Sequence, residues 1–335
     1  MDSGALALQL ADEGADSLAK VEDRAEKETN ATLRAALLAL LAAIRGPYTR
    51  YAEAVKNPGS VSPAELASRY QDVIRAAQRF LSPAEITAWE NRYRQNLEAA
   101  MNAAATTAEQ LHRVEAPEDA PPPYAGPDPV EVDQHLQQAS LSVRSEASGF
   151  RDQLVLIVGM AATQGWGIKR LEQQARRALE GISDRKGSSL RPQTGVIQRV
   201  AVNIRSNLQE AAGRLSTRFA SAAGFEYVRY VATRDERTCA YCVARHGRVY
   251  RVGTISVPQH RRCRCILIPV NGDAVNDPNP ESRDQRLDGA FWRKSQQRVW
   301  REYAASRGKS LQDARPEIMR AANTPTAAEK RRFPG

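Results

Sequence analysis

All four cysteines of this 335-residue chain lie within one segment of 27 residues. They form a Cys239-Ala-Tyr-Cys242 pair and, after 20 intervening residues, a Cys263-Arg-Cys265 pair. Two of the four histidines, His246 and His260, fall in the same segment. Two ligands three residues apart in a tight turn can share one tetrahedral ion, so a CxxC pair followed by a second Cys/His group is typical of a structural zinc site.

The second pair leaves the ligand set open. Along a strand, Cys263 and Cys265 would project to the same face with roughly 6–7 Å between their Cα atoms, so both can bind one ion only if the backbone bends. His260 stands three residues before Cys263, a better spacing for a turn. We expect one structural zinc held by Cys239 and Cys242 and by two of His260, Cys263 and Cys265. Disulfides formed after assembly and packed thiols are the alternatives.

The cluster predicts no enzymatic activity. Most of the available ligands are needed to close the site, which leaves no open coordination position for catalysis. A zinc deaminase needs a His/Cys-x-Glu motif upstream of its CxxC pair, and neither His112-Arg-Val-Glu115 nor His135-Leu-Gln137 fits that pattern. A metal-dependent, nuclease-like enzyme using the Cys/His cluster stays an alternative.

The cysteines sit among segments whose residues alternate between apolar and polar. The pattern predicts strands over Phe225–Val231, Arg248–Val252 and Cys263–Ile268. The simplest arrangement is a small antiparallel sheet of three strands whose connecting loops carry the cysteines. An amphipathic helix over about 283–307 and a polar tail follow.

The N-terminal third is helical in pattern. Apolar residues recur at three- and four-residue steps from about 5 to 44, and Gly46–Pro47 is expected to end that helix. Ser62-Pro63-Ala64-Glu65 and Ser82-Pro83-Ala84-Glu85 are two helix starts, each with a capping Ser, a first-turn Pro and a Glu able to complete a capping box. The second start is expected to launch a helix through about Val114.

A proline-rich stretch separates this region from the rest. Residues 116–129 contain six prolines, too many for a helix or a central strand. Further helices are expected over 130–163, 166–181 and 195–223. The fold class is therefore α+β and predominantly α-helical. The expected regions are a helical bundle (1–115), a Pro-rich linker (116–129), a domain carrying the cysteines (130–270) and a C-terminal helix and tail (271–335).

Charge is divided unevenly along the chain. Residues 1–120 carry 13 basic and 18 acidic side chains, a net charge of −5, whereas residues 121–335 carry 35 and 21, a net charge of +14. Opposite fields of this kind predict that the two parts dock on different surfaces. The basic part could contact DNA, although solvated faces explain the same composition. No apolar run is long enough to predict a membrane span.

The cysteine segment is similar to a known family. Thr233–Tyr250 and Pro258–Val270 resemble the C-terminal signature of the Mu F-like head morphogenesis domain of bacteriophages. The resemblance covers about residues 130–270, and Gln164-Gly165-Trp166 also resembles the family. There are two departures from its pattern: Arg261 replaces a usual proline, and the segment Asn203–Asn207 replaces an Ala-Arg-Thr-Glu motif. The agreeing positions are Asp235, Arg237, Cys239, Cys242, Gly247, Pro258, His260, Cys263, Arg264 and Cys265.

The resemblance implies a virion structural protein. It predicts a low-copy minor capsid protein of a tailed phage, assembled in the host cytoplasm and located in the head interior or at the head–tail junction. The implied partners are the portal protein and the major capsid protein, with packaged DNA as a further partner of the basic C-terminal part. The implied role is head assembly, with DNA packaging or delivery. A DNA-binding adaptor is the alternative from another class.

Overall fold

A computed structural model defines six helices and five short strands within the residues that it describes. It describes residues 3–57, 59–115, 126–182, 193–232, 242, 245–259, 263–270, 304, 308 and 310. The helices are α1 (Ser3–Lys56), α2 (Pro63–Ala77), α3 (Pro83–Glu115), α4 (Pro129–Thr163), α5 (Ile168–Glu180) and α6 (Val196–Ala222). The strands are β1 (Gly181–Ile182), β2 (Gln193–Thr194), β3 (Tyr227–Val231), β4 (Val249–Arg251) and β5 (Ile266–Val270). The predicted class, α+β and predominantly helical, is confirmed. Within the described ranges, no helix combines the length and apolarity needed to cross a membrane.

The chain divides into two compact units, each built from separate stretches of sequence. The first, here called the sheet unit, comprises Met1–Asp23, Asn96–His135 and Ser206–Gly335. The second, the helical unit, comprises Arg24–Gln95 and Leu136–Arg205. The predicted division at the proline-rich stretch stays a prediction, because residues 116–125 lie outside the described part of the chain. The helix predicted over 283–307 also falls outside it, except for Ala304.

The two Ser-Pro-Ala-Glu motifs start α2 and α3 as predicted, but only the second forms a full capping box. Ser82 accepts a hydrogen bond from the Glu85 N–H at 3.3 Å, and the Ser82 N–H donates to the Glu85 carboxylate at 2.7 Å. Ser62 accepts from the Glu65 N–H at 3.2 Å. The Glu65 carboxylate instead accepts from Arg69 at 2.6 Å, so the first motif provides half of the box.

This difference predicts unequal losses on capping mutations. Ser82→Ala should lower the free energy of unfolding by about 1–2 kcal/mol, because it removes one bond of the box and loosens its partner. Ser62→Ala should cost about 0.5–1 kcal/mol, because it removes a single bond. Urea denaturation of both variants and the parent measures this. A larger loss for Ser62→Ala than for Ser82→Ala would contradict the assignment.

The predicted end of the first helix at Gly46–Pro47 is wrong, because α1 continues through both residues to Lys56. A proline inside a helix costs roughly 3 kcal/mol. On either side of it, however, Ile44 and Tyr48 are fully buried, and the Tyr48 hydroxyl donates to the Trp166 carbonyl at 2.7 Å. The packing of Ile44 and Tyr48 therefore outweighs the tendency of Pro47 to end the helix.

The three predicted strands form one antiparallel sheet in the order β4-β3-β5. In the central strand, Tyr230 pairs with Leu267 of β5, and Val228 pairs with Tyr250 of β4. The strands over 225–231 and 248–252 are confirmed within two residues. The third differs from the prediction, since β5 begins at Ile266 and leaves Cys263–Cys265 outside the regular strand.

Candidate metal centre

The two faces of the sheet pack against different partners, as strand alternation requires. Tyr227, Val231, Ile268 and Val270 pack with Ala7, Ala11 and Leu111 of the sheet unit's helices. On the other face, β3 contributes Val228 and Tyr230 to a cluster with Phe219, Phe225, Leu267 and three cysteines. The cysteines therefore lie inside an apolar core.

Three thiols converge in this core. Cys242, Cys263 and Cys265 are each 2% exposed, and their sulfur atoms all lie within 4.8 Å of one another. The sulfurs of Cys242 and Cys263 are 3.9 Å apart, far beyond a bonded S–S distance of about 2.05 Å, and each of the three is a reduced thiol. Tetrahedral zinc with Zn–S bonds of about 2.3 Å places its sulfurs about 3.8 Å apart. The three cysteines are thus close enough to bind one metal ion.

Of the five residues predicted as ligands, the structure brings together Cys242, Cys263 and Cys265. Cys239 and His260 lie outside the described residues, so the complete ligand set stays a prediction. Cys263 and Cys265 both precede β5, so the regular strand geometry that would keep their sulfur atoms apart does not apply to them. The predicted cluster is confirmed in this coarser form.

Backbone hydrogen bonds hold the cysteine loop against β3. The Gly247 N–H donates to the Tyr230 carbonyl at 2.9 Å, and the Tyr230 N–H donates to the Arg248 carbonyl at 2.9 Å. Gly247 has a φ of +78°, a backbone conformation that is unfavourable for residues with a Cβ atom. This explains why a glycine occupies the turn. Directly before Gly247, the His246 N–H donates to the Cys242 carbonyl at 3.0 Å, which closes one helical turn. The turn therefore places Cys242 directly beside the central strand.

Tyr230 completes the cluster, and it is not among the site residues that the sequence predicts. Its hydroxyl donates to the Cys242 sulfur at 3.2 Å and lies 3.7 Å from the Cys263 sulfur. Burial, and next the neighbouring thiols, raise the pKa of Tyr230 well above its usual range, so the phenol stays protonated and keeps donating. The alternation of residues along β3 could have predicted this position, since it places Tyr230 on the inward face of the sheet.

The thiols differ in acidity. Hydrogen bonds from the Cys242 and Cys265 thiols, and from the backbone N–H groups of Cys265 and Gln259, hold the pKa of Cys263 well below its usual value despite burial. Burial raises the pKa of Cys265 well above that value. The thiolate is the form that binds metals, and the hydrogen bonds to Cys263 favour that form at this position.

His246 has a positioning role. Its Nδ1 accepts a hydrogen bond from the Ala232 N–H at 3.0 Å, so the proton of the neutral ring is on Nε2. A ligating nitrogen must be unprotonated. His246 therefore ties the cysteine loop to the end of β3 and is not a ligand in this arrangement.

Helix α6 approaches the loop before Cys263 so closely that only glycine fits. A Cβ added at Gly213 would lie 2.8 Å from the Val257 carbonyl oxygen and would also press on the Val257 Cγ2. Val257 is buried, and two residues later the Gln259 N–H donates to Cys263. The packing at Gly213 thus fixes the loop that leads into the thiol cluster.

Gly213→Ala should lower the free energy of unfolding by about 1–3 kcal/mol, because backbone has to move to admit the methyl group. The matched control is Gly149→Ala in α4, where no atom lies within 4 Å of the added Cβ. That change should raise the free energy of unfolding by about 0.5–1 kcal/mol, since alanine favours helices. Urea denaturation gives both values. Equal effects of the two substitutions would contradict the close approach.

Comparison with known proteins found no matching family model, no matching curated protein and no matching solved structure.

Proposed function

We propose that this chain is a minor capsid protein of a tailed bacteriophage, a low-copy component of the head with a structural zinc centre. The observation that carries the structural part is the convergence of three buried thiols within 4.8 Å. The resemblance of Thr233–Tyr250 and Pro258–Val270 to the Mu F-like signature supports the assignment to a phage head.

The chemistry of the thiols supports zinc. The donors described in the cluster are all sulfur, the ligand type of closed structural zinc sites. Thiolates buried in an apolar core are costly without a compensating charge, and a divalent cation supplies one. The sequence offers Cys239 and His260 for the fourth position, since each stands three residues before a described cysteine. The ion would then fasten the loop around Cys242 to the segment entering β5.

The role is structural in this proposal. The described positions shared with the family signature include Gly247 at a turn and Cys242, Cys263 and Cys265 in the core, a placement that supports a role in folding. Hydrolytic zinc sites combine histidine or carboxylate ligands with an open position. Among the described residues, the only group able to hold a metal consists of thiols, so the enzyme alternative has no observation in its favour.

The partners in this proposal are the portal protein and the major capsid protein, and the site of action is the interior of the head or the head–tail junction. The charge difference between residues 1–120 (−5) and 121–335 (+14) supports two docking surfaces. The acidic part would face one protein partner and the basic part the other, or packaged DNA.

Mass spectrometry of purified phage particles and of empty proheads tests this function. We expect peptides of the chain in both, at far fewer copies than the major capsid protein, and lower incorporation of a Cys242→Ser variant. Absence of the chain from both kinds of particle would refute the head assignment and leave the metal centre to be tested separately.

A further inference from the structure

Helix α5 in the helical unit has two sharply different faces. Leu171, Ala175 and Leu179 are almost completely buried. The opposite face is exposed and carries the carboxylate of Glu180 at its C-terminal end, together with four cations and one amide: Lys169, Arg170, Gln173, Arg176 and Arg177. This set is called the α5 basic face.

The carboxylates of α5 do not neutralise this face. Glu172 accepts from Arg45 at 2.7 Å, and Glu180 lies 3.7 Å from Arg34, so each is matched by a cation of α1. The cations of the α5 basic face make no ion pair with any described residue. Arg170 stacks over the Trp166 ring at 4.4 Å, which orients its guanidinium while leaving it exposed. The surface of α5 and its α1 neighbours is therefore strongly positive.

We propose that the α5 basic face binds the phosphate backbone of duplex DNA. This inference rests on the proposed function and deepens it, because α5 belongs to the basic part, residues 121–335, for which packaged DNA is a proposed partner. A loss of DNA binding and a loss of the metal centre can be told apart, since α5 belongs to the helical unit and the thiol cluster to the sheet unit. Arginine and lysine neutralise phosphates, and glutamine can contact phosphates or base edges.

The dimensions of α5 fit a duplex. Lys169, Gln173 and Arg177 follow one another at four-residue steps and form a line about 12 Å long, with Arg170 and Arg176 on either side. A helix is about 10–12 Å across, and the major groove of DNA is about 12 Å wide. A short helix with its apolar side buried in the protein can therefore reach both phosphate rows.

Other anionic surfaces fit less well. A helix that lies in a membrane interface inserts its apolar face, and in α5 that face is buried against protein. Proteins that bind single strands stack bases on exposed aromatic rings, and the α5 basic face has none. Trp166, the aromatic residue next to it, is buried.

Affinity of the full-length protein for a fluorescent duplex of mixed sequence, measured across salt concentrations, tests the proposal. The variant is Arg176→Gln/Arg177→Gln. The matched control is Arg75→Gln/Arg79→Gln, which removes the same charge from exposed positions in and after α2. The Arg75 guanidinium forms an ion pair with the Asp72 carboxylate, with 2.6 Å between nitrogen and oxygen. Thermal denaturation of both variants confirms that folding is retained.

We expect the α5 variant to lower the slope of log K against log salt by roughly 2, one phosphate contact for each arginine, and the control to leave it nearly unchanged. Equal losses in the two variants would overturn the proposal, because they would show attraction by overall charge. Unchanged DNA binding of the α5 variant, with lost binding to anionic vesicles or to single-stranded RNA, would also overturn it.

Discussion

A chain carrying Cys242→Ser is expected to bind no zinc at the proposed centre and to lose most of the stability of the sheet unit. Binding of structural zinc contributes roughly 10 kcal/mol or more to small zinc modules, comparable with the whole stability of a typical domain. In the proposed centre, Cys242 would link the loop after β3 to Cys263 and Cys265, just before β5, and serine does not replace a thiolate as a ligand. Circular dichroism during urea denaturation, with zinc measured on the same samples, gives both losses. Chelation of the parent protein should produce the same change.

The control for Cys242→Ser is Ile255→Ala. Ile255 is 2% exposed and packs in the same apolar cluster as the cysteines. Its truncation should cost about 2–5 kcal/mol through lost packing while the metal content stays at that of the parent. The structural-metal account is contradicted if Cys242→Ser is no less stable than Ile255→Ala and chelation leaves the parent unchanged.

The hydroxyl and the ring of Tyr230 should contribute separately to the free energy of unfolding. Tyr230→Phe removes the hydroxyl that donates to Cys242 and should cost about 1.5–3 kcal/mol, the range for a hydrogen bond to a charged group. It should keep the metal stoichiometry but weaken metal affinity about 10–100-fold, as loss of a partner of a metal ligand does. Tyr230→Ala also removes a fully buried ring, for a total of about 3–5 kcal/mol or more. Competition with a zinc indicator and urea denaturation measure these effects.

Tyr70→Phe in the helical unit is the control for the conservative change. Tyr70 lies 5.5 Å from Tyr51, ring to ring, and belongs to the other unit, so its hydroxyl should not affect metal affinity. If Tyr230→Phe matched the parent in both stability and metal affinity, the hydrogen bond to Cys242 would have no energetic role.

The parts of the fold that the sequence predicts correctly depend mostly on short-range patterns, such as capping motifs and the alternation of apolar and polar residues. The Ser-Pro-Ala-Glu motifs start α2 and α3 because capping depends on four adjacent residues. The strand β3 was predictable because the alternation of apolar and polar residues over 225–231 is also a local pattern. Pro47 misleads because burial of Ile44 and Tyr48, which depends on residues far away in sequence, outweighs a local preference.

The candidate site shows the same division. Clustering of the cysteines predicts that they converge, and Cys242, Cys263 and Cys265 do. The close approach of Cys263 and Cys265 depends on a strand that begins only at Ile266, which residue spacing alone does not reveal. Tyr230 was missed because its contact with Cys242 depends on which face of β3 meets the loop.

Zinc analysis of the full-length protein, combined with X-ray absorption at the zinc edge, tests the central claim most directly. The account predicts about one zinc per chain, with at least three sulfur ligands at about 2.3 Å and the fourth position filled by sulfur or an imidazole nitrogen. His260→Gln and Cys239→Ser, compared in the same measurement, identify the fourth ligand. A full-length protein that folds without bound metal, or a zinc shell dominated by oxygen, would contradict a structural thiolate centre.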